Sequence, residues 1–544
     1  MKKIVVLLWI CCSMKSFSQN QLIIPQPSSF TAKEGNFSIS KETKIVLLNP
    51  QLDKSAHFLQ QYIEHIYGVT LAIVNKSTPT ANIVLSNTQK ANPTRGGYTL
   101  NISSSSIHID GENDEGVFYG VQSLIQVLPF TKSLPILAPA MSVEDQPRFI
   151  YRGMHLDVSR HFFPIAFIKK YIDFIAMHKM NRFHWHLTDD QGWRMEIKKY
   201  PKLTAIGGYR NGTTIGRYPG TGNTGIKYGG YYTQEEIKEI VQYASDRYVE
   251  VIPEIELPGH ASAAIAAYPE LSCFPEEATK HPAKTAWIGS EIGKQVQQTW
   301  GVFEDVFAPT ETTFKFLENV FDEVLPLFPS KYIHIGGDEC PKESWKRSAF
   351  CQQLIKDKNL KDEHGLQSYF ITRIEQYINS KGKQIIGWDE ILEGGLAPNA
   401  IVMSWRGEKG GIEAAKQKHQ VIMTPGEWMY FDHKQKQKED SVTIGGYTTV
   451  QKVYSYEPVP KQMNAEDAKY VLGAQANVWT EYITNTSKVE YMIFPRMSAL
   501  SEVLWSGKEQ RNWSHFEPRL KRQFDRYKWM GWNYSNSFFE EIIK

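Results

Sequence analysis

The chain has 544 residues, of which 41% are hydrophobic and 22% charged, with a formal net charge of +2. That length supports a sizeable core and about two to four domains, and the composition is that of a soluble globular protein. So small a charge gives no reason to expect nucleic acid or an anionic surface as partner.

Residues 1–18 read as a secretory signal. Lys2 and Lys3 form its positive end, and Ile4 to Cys12 form an apolar run too short to span a bilayer. Ser16 and Ser18 are small residues suited to cleavage, which leaves a start near Gln19. Export to the periplasm or the extracellular space is expected. Bulky Trp9 and Ile10 argue against a lipid anchor on Cys11 or Cys12. Cleavage removes Lys2, Lys3 and Lys15 and no acid, so the formal charge falls from +2 to −1. Three cysteines then remain, Cys273, Cys340 and Cys351. One disulfide would leave one thiol, with three pairings open. Cys340 follows a carboxylate pair, but no neighbouring pattern marks an activated nucleophile, so a structural thiol or half of a disulfide is expected.

Residues 19–145 read as a smaller α+β accessory domain. Asn82–Leu85, Gly97–Ile102 and Ile107–Asp110 are strand-like, and Glu115 to Leu128 carries Val117, Val121, Leu124, Ile125 and Leu128 at helical spacing. Val143 to Arg148 reads as the boundary. From Arg152 the texture changes to short apolar strands alternating with helices. Eight strands are expected, at 153–158, 182–187, 250–257, 332–335, 384–387, 400–405, 420–424 and 471–478. Thr233 with Glu236 and Ser487 with Glu490 read as capping boxes opening two of the helices. Eight such units over 146–507 predict an α/β fold of the (β/α)8 TIM-barrel class, with its active site at the carboxyl ends of the strands. Residues 508–544 are rich in aromatics, including Trp513, Phe516, Trp529 and Trp532, and are expected to form a helical extension packed on the barrel.

The strand ends carry the chemistry. Tyr332-Ile333-His334-Ile335-Gly336-Gly337-Asp338-Glu339 is a buried strand, two glycines that free the backbone, and two adjacent carboxylates. Buried charges are costly without compensation. An isolated Asp-Glu is more often a helix cap or an ion pair, but here similar strand ends recur. They bring Asp157 and Arg160; Asp189 and Asp190; Glu254, Glu256 and His260; Trp388, Asp389 and Glu390; Trp405 and Arg406; Trp428, Tyr430 and Asp432; Trp479 and Glu481. A rim of tryptophans and carboxylates suits a sugar, because aromatic faces stack on pyranose C–H faces and carboxyl groups handle proton traffic. Two other signals compete. His184 and His186 share a strand face at a spacing some metal-dependent barrel hydrolases use, and His260 with Asp338 would complete such a site. Gly207 to Gly230 holds nine glycines, but it lacks a Gly-Lys-Ser/Thr ending and reads as a flexible rim loop rather than a phosphate cradle. Ala261 to Thr310 reads as a further wall of the cleft.

Six motifs in order resemble the β-N-acetylhexosaminidases of glycoside hydrolase family twenty. They are Arg-Gly-Met-His-Leu-Asp-Val-Ser-Arg-His at 152–161, His-Trp-His-Leu-Thr-Asp-Asp-Gln-Gly-Trp-Arg at 184–194, Pro-Glu-Ile-Glu-Leu-Pro-Gly-His at 253–260, His-Ile-Gly-Gly-Asp-Glu at 334–339, Gly-Trp-Asp-Glu at 387–390 and Asn-Val-Trp-Thr-Glu at 477–481. The resemblance implies exo-acting, retaining, substrate-assisted hydrolysis of a terminal N-acetylglucosamine or N-acetylgalactosamine, with no cofactor and no metal. It implies Glu339 as general acid and base, Asp338 as the group holding the acetamido N–H, and Tyr430 as the donor to the acetamido oxygen. His260 and Asp189 would lie behind the acid. Arg160 would bind the 3- and 4-hydroxyls, Asp432 and Glu481 the outer hydroxyls, and Trp388, Trp405 and Trp479 would wrap the acetamido methyl. One departure is that Val453 to Pro458 offers tyrosines where a further cleft tryptophan is expected. A metal-dependent amidohydrolase and a non-catalytic sugar-binding protein are the alternatives from other classes.

Overall fold

The computed structural model describes residues 23–76, 82–88, 96–439 and 441–542. Residues 1–18, read above as an export signal, lie outside them. No helix among the described residues is long and apolar enough to cross a membrane.

The first unit is a seven-stranded sheet of β1 (Ser29–Ile39), β2 (Lys44–Leu47), β3 (Ala72–Val74), β4 (Asn82–Asn87), β5 (Tyr98–Ile102), β6 (Ser106–Gly111) and β7 (Ile136–Asp145), in the order β1-β7-β5-β6-β4-β2-β3. Its helix Asp114–Val127, capped by Asn113, is buried on every side from Gly116 onward. A helix buried all round is shared by two layers. Here they are the sheet and the barrel: Tyr119 meets Trp505 edge-on, and Arg152 donates to the Tyr119 hydroxyl at 2.7 Å. The stretch expected as a boundary is partly strand, since β7 runs to Asp145. Asp145 fastens the two units. It accepts from Lys179 Nζ at 3.0 Å, Tyr98 Oη at 2.7 Å and Trp505 Nε1 at 2.8 Å.

The second unit is a closed barrel of eight parallel strands: Tyr151–Asp157, Arg182–His186, Glu250–Leu257, Tyr332–Gly336, Gln384–Trp388, Ile401–Ser404, Val421–Met423 and Val471–Ala476. Each of the eight expected strands is present, and the last pairs with the first. Helices Ile165–Met177, Gln234–Ser245, Glu311–Val324 and Glu363–Ser380 pack outside it. The Thr233–Glu236 capping box forms as expected. The second box does not: Asn485 caps that helix, and Glu490 instead pairs with Lys170 and accepts from the Asn533 N–H at 2.7 Å. Asn485 stands two residues earlier and reaches the exposed amides first. The glycine-rich segment is an ordered nest of two short ribbons, 209–210 with 228–229 and 214–215 with 222–223, rather than an open loop.

The helix Trp513–Met530 follows the barrel and touches both units. Arg519 pairs with Glu502, Arg526 donates to the Gln126 carbonyl at 2.6 Å, and Trp532 stacks on Phe494. Because Lys179 and Asp145 are fully buried at the seam, removing one partner strands a charge. Lys179→Met is expected to lower stability by about 3–5 kcal/mol, read as a shift of the urea midpoint; Lys179→Met with Asp145→Asn should recover much of that loss.

Candidate active site

The turn after Tyr332–Gly336 depends on its glycines. Gly336 and Gly337 have φ of +67° and +92°, and a Cβ on Gly336 would lie 1.7 Å from Glu256 Oε2. The backbone stays left-handed at Glu339, φ +41°, and the same holds across the rim at His260, φ +48°. Non-glycine residues held there store about 1–3 kcal/mol each. The strain has a visible product, since the two side chains face each other: His260 Nε2 is 3.6 Å from Glu339 Oε2 and 3.6 Å from Asp338 Oδ2.

One cavity of about 300 Å³ collects all eleven residues to which the family resemblance gave a role: Arg160, Asp189, His260, Asp338, Glu339, Trp388, Trp405, Tyr430, Asp432, Trp479 and Glu481. Trp405 and Tyr430 are near-parallel, 6.0 Å apart, and Trp479 stands between Tyr430 and Trp388 at 6.4 and 5.7 Å. Asp338 Oδ1 and both carboxyl oxygens of Asp432 are buried with no hydrogen-bond partner among the described residues. Such atoms carry a full desolvation cost until a ligand satisfies them.

The charges form a chain. Asp189 Oδ2 accepts from Arg160 Nη2 at 2.8 Å and from His186 Nε2 at 2.9 Å, while its Oδ1 is 3.3 Å from His260 Nδ1. Burial pushes its carboxyl up, but Arg160 and His260 overcome this and hold it well below the usual range. Burial works against the His260 imidazolium, yet Asp189, Asp190 and Asp338 together raise it well above an ordinary histidine. The His260 imidazolium, 3.6 Å away, in turn holds the Glu339 carboxyl below its usual range. His260 and Glu339 thus face each other as an imidazolium and a carboxylate. On the far wall, burial and then Glu481 hold Asp432 well above an ordinary aspartate, and burial raises Glu481.

Several expectations need correction. The main hydrogen-bond partner of His260 is Asp190, at 3.0 Å, which also receives the Ser262 N–H and hydroxyl. Asp189 also lies behind His260, at 3.3 Å, and in addition bridges Arg160 and His186. Glu256 and His433 also line the cavity; Glu256 stood on the rim in the sequence, but nothing there gave it a role. Trp428 is absent from the lining and packs on Tyr456. The segment 453–458 lies away from the cleft: Tyr454 stacks on Phe516 and Glu457 pairs with Arg148 and Arg511. The four groups of the metal alternative do not converge. His184 and His186 gather on Glu254, which occupies the space between the rings, while His260 turns to Asp338 and Glu339. Burial pushes the Cys340 thiol up to about 11, which disfavours the thiolate that a nucleophile needs. The three cysteines among the described residues are free thiols, Cys273 Sγ lying 3.7 Å from Cys351 Sγ.

A parallel barrel with paired carboxylates and an aromatic enclosure at the carboxyl ends of its strands defines a glycoside hydrolase. Comparison with known proteins names the group. The catalytic domain of glycosyl hydrolase family 20 matches residues 149–508 and domain 2 of that family matches 20–146, and the chain belongs to this family. It is 44% identical to a beta-hexosaminidase of Porphyromonas gingivalis, over 94% of this chain and 64% of that protein. It is 35% identical to a beta-hexosaminidase of Vibrio furnissii, over 88% and 76%. It is also similar to the crystal structure of an exo beta-N-acetylglucosaminidase from Vibrio harveyi in complex with N-acetylglucosamine, with a TM-score of 0.83 and 30% identity over 95% and 79% of the two chains.

The His260 imidazolium holds the Glu339 carboxyl down, so its removal lets that carboxyl keep its proton to higher pH. His260→Asn is therefore expected to move the alkaline limb of the kcat/KM profile to higher pH, measured from pH 4 to 9.

Proposed function

We propose that the chain is an exo-acting retaining β-N-acetylhexosaminidase that removes terminal N-acetylglucosamine or N-acetylgalactosamine from oligosaccharides or glycoconjugates by substrate-assisted catalysis. The observation that carries this reading is the open acceptor on Asp338 in the same enclosure as Tyr430 and three tryptophans, next to Glu339. An acetamido group fits that set. Its N–H meets Asp338, its oxygen meets the Tyr430 hydroxyl, and its methyl meets the indole faces. Tyr430 is well suited to donate, since burial and then Asp432 hold its phenol neutral.

Positioned this way, the acetamido oxygen attacks the anomeric carbon from within the substrate, with the entropic advantage of a tethered nucleophile. Glu339 gives its proton to the departing oxygen. An oxazolinium intermediate forms, and Asp338 balances the positive charge spread over it. Glu339 then takes a proton from water, which opens the intermediate with overall retention. Arg160, Asp432 and Glu481 hold the hydroxyls, and the burial of Arg160 and Asp432 strengthens those contacts. The basic and apolar residues at 1–18 support export of the protein to the periplasm or beyond.

A nitrophenyl β-N-acetylglucosaminide should be hydrolysed rapidly and the matching β-glucoside not at all, with no effect of chelator; equal cleavage of both sugars overturns the assisted mechanism. Asp338→Asn should lower kcat by about 10²-fold or more even on nitrophenyl substrates, because its role precedes proton transfer. Glu339→Gln should cost about 10²–10⁴-fold on a disaccharide and far less when the leaving group is a nitrophenolate.

A further inference from the structure

Beyond Glu339 lies a second cavity of about 420 Å³ that shares this side chain with the catalytic one. The acid must touch the departing oxygen, so the leaving group occupies this second space. No Trp, Tyr or Phe is among the residues lining it. A neutral sugar held by stacking, as in the catalytic cavity, finds no platform here.

The lining is charged instead, with Glu339, Glu343, Glu390 and Glu393 against Lys342, Lys346 and Arg406, and what matters is which of the cations is paired. Arg406 is neutralised by Asp389 at 2.6 Å and Glu393 at 2.7 Å, and Lys346 by Glu343 at 3.2 Å. Lys342 has no such partner among the described residues. Its ammonium donates to the Cys340 carbonyl at 2.6 Å and to the Gln367 side-chain oxygen, both neutral, and lies 5.6 Å from the Trp345 ring. Gln367 in turn donates to the Gly337 carbonyl at 2.8 Å, so Lys342 is braced against the turn that carries Asp338 and Glu339. Glu390 also lines this space, but burial and then Asp338 push it up to about 8, leaving it uncharged near neutrality. A half-buried cation fixed by neutral oxygens keeps its full field for an incoming anion.

We infer that the leaving-group side of this enzyme selects an acidic aglycone, a hexosamine or uronic sugar bearing a carboxylate, which pairs with Lys342. This rests on Glu339 acting as the general acid. The test compares three disaccharides with β-1,4-linked N-acetylglucosamine at the non-reducing end: one with N-acetylglucosamine as leaving sugar, one with its 3-O-lactyl ether, and the methyl ester of that ether. The free acid is expected to give about tenfold higher kcat/KM than the other two. That preference should shrink between 50 and 500 mM salt, disappear in Lys342→Gln and persist in Lys342→Arg. Equal rates for acid and ester, or a preference that survives Lys342→Gln, overturn the inference while leaving the activity intact. Failure to cleave any of the three, or the nitrophenyl sugar, overturns the activity and the subsite together.

Discussion

Buried charges crowded at the carboxyl ends of the strands are the constraint on which the rest of the site depends. Asp189 stands at their centre, held by Arg160, His186 and His260. Behind it, His186 bonds Glu254, and Glu254 Oε1 accepts the Trp388 indole N–H at 2.9 Å. One alternating row of charges therefore fixes both the imidazolium facing the acid and the position of a hydrophobic wall. Neither end is independent of the other. Removing an interior member leaves its neighbours uncompensated where water cannot reach them, which is why such rows survive only when fully paired.

The same crowding explains the backbone at the two loops that meet there. His260 and Glu339 adopt left-handed conformations that side chains other than glycine disfavour. Gly336 must leave room for the Glu256 carboxyl, and Gly259, whose Cβ would sit 3.0 Å from the Asp338 carbonyl, must let the two loops touch. Small residues beside strained ones mark where the fold yields to the chemistry.

Much of this was readable from residue order, because barrel strands are short apolar runs and their ends project polar groups toward one face. All eight strands form as the pattern implies, and the eleven side chains that the family resemblance picked out line one cavity. What was not readable depended on contacts between distant segments. Asp190 rather than Asp189 takes the main bond to His260 because the His260 loop arrives from a strand 70 residues away. Trp428 and the tyrosines at 454 and 456 carry the same composition as the cleft residues, and only their packing, Trp428 on Tyr456 and Tyr454 on Phe516 of helix Trp513–Met530, shows that they lie outside the cleft. Asn485 displaced the expected cap by its nearness to the helix start, a choice that spacing alone leaves open.

The barrel is fastened where its ends meet. Asp157, at the tip of the first strand, accepts the Thr480 N–H and hydroxyl at 3.0 and 2.9 Å, and His161 reaches the Thr480 carbonyl at 2.6 Å. Those bonds bridge more than 300 residues, and they set Trp479 and Glu481 beside Arg160. Loops of that length close late in folding. A nascent chain whose last strand has not docked owns the acid, its partner histidine and the strained turn, yet has no enclosure in which to use them. Hydrolysis thereby becomes a readout of topological completion, silent until the ring is sealed.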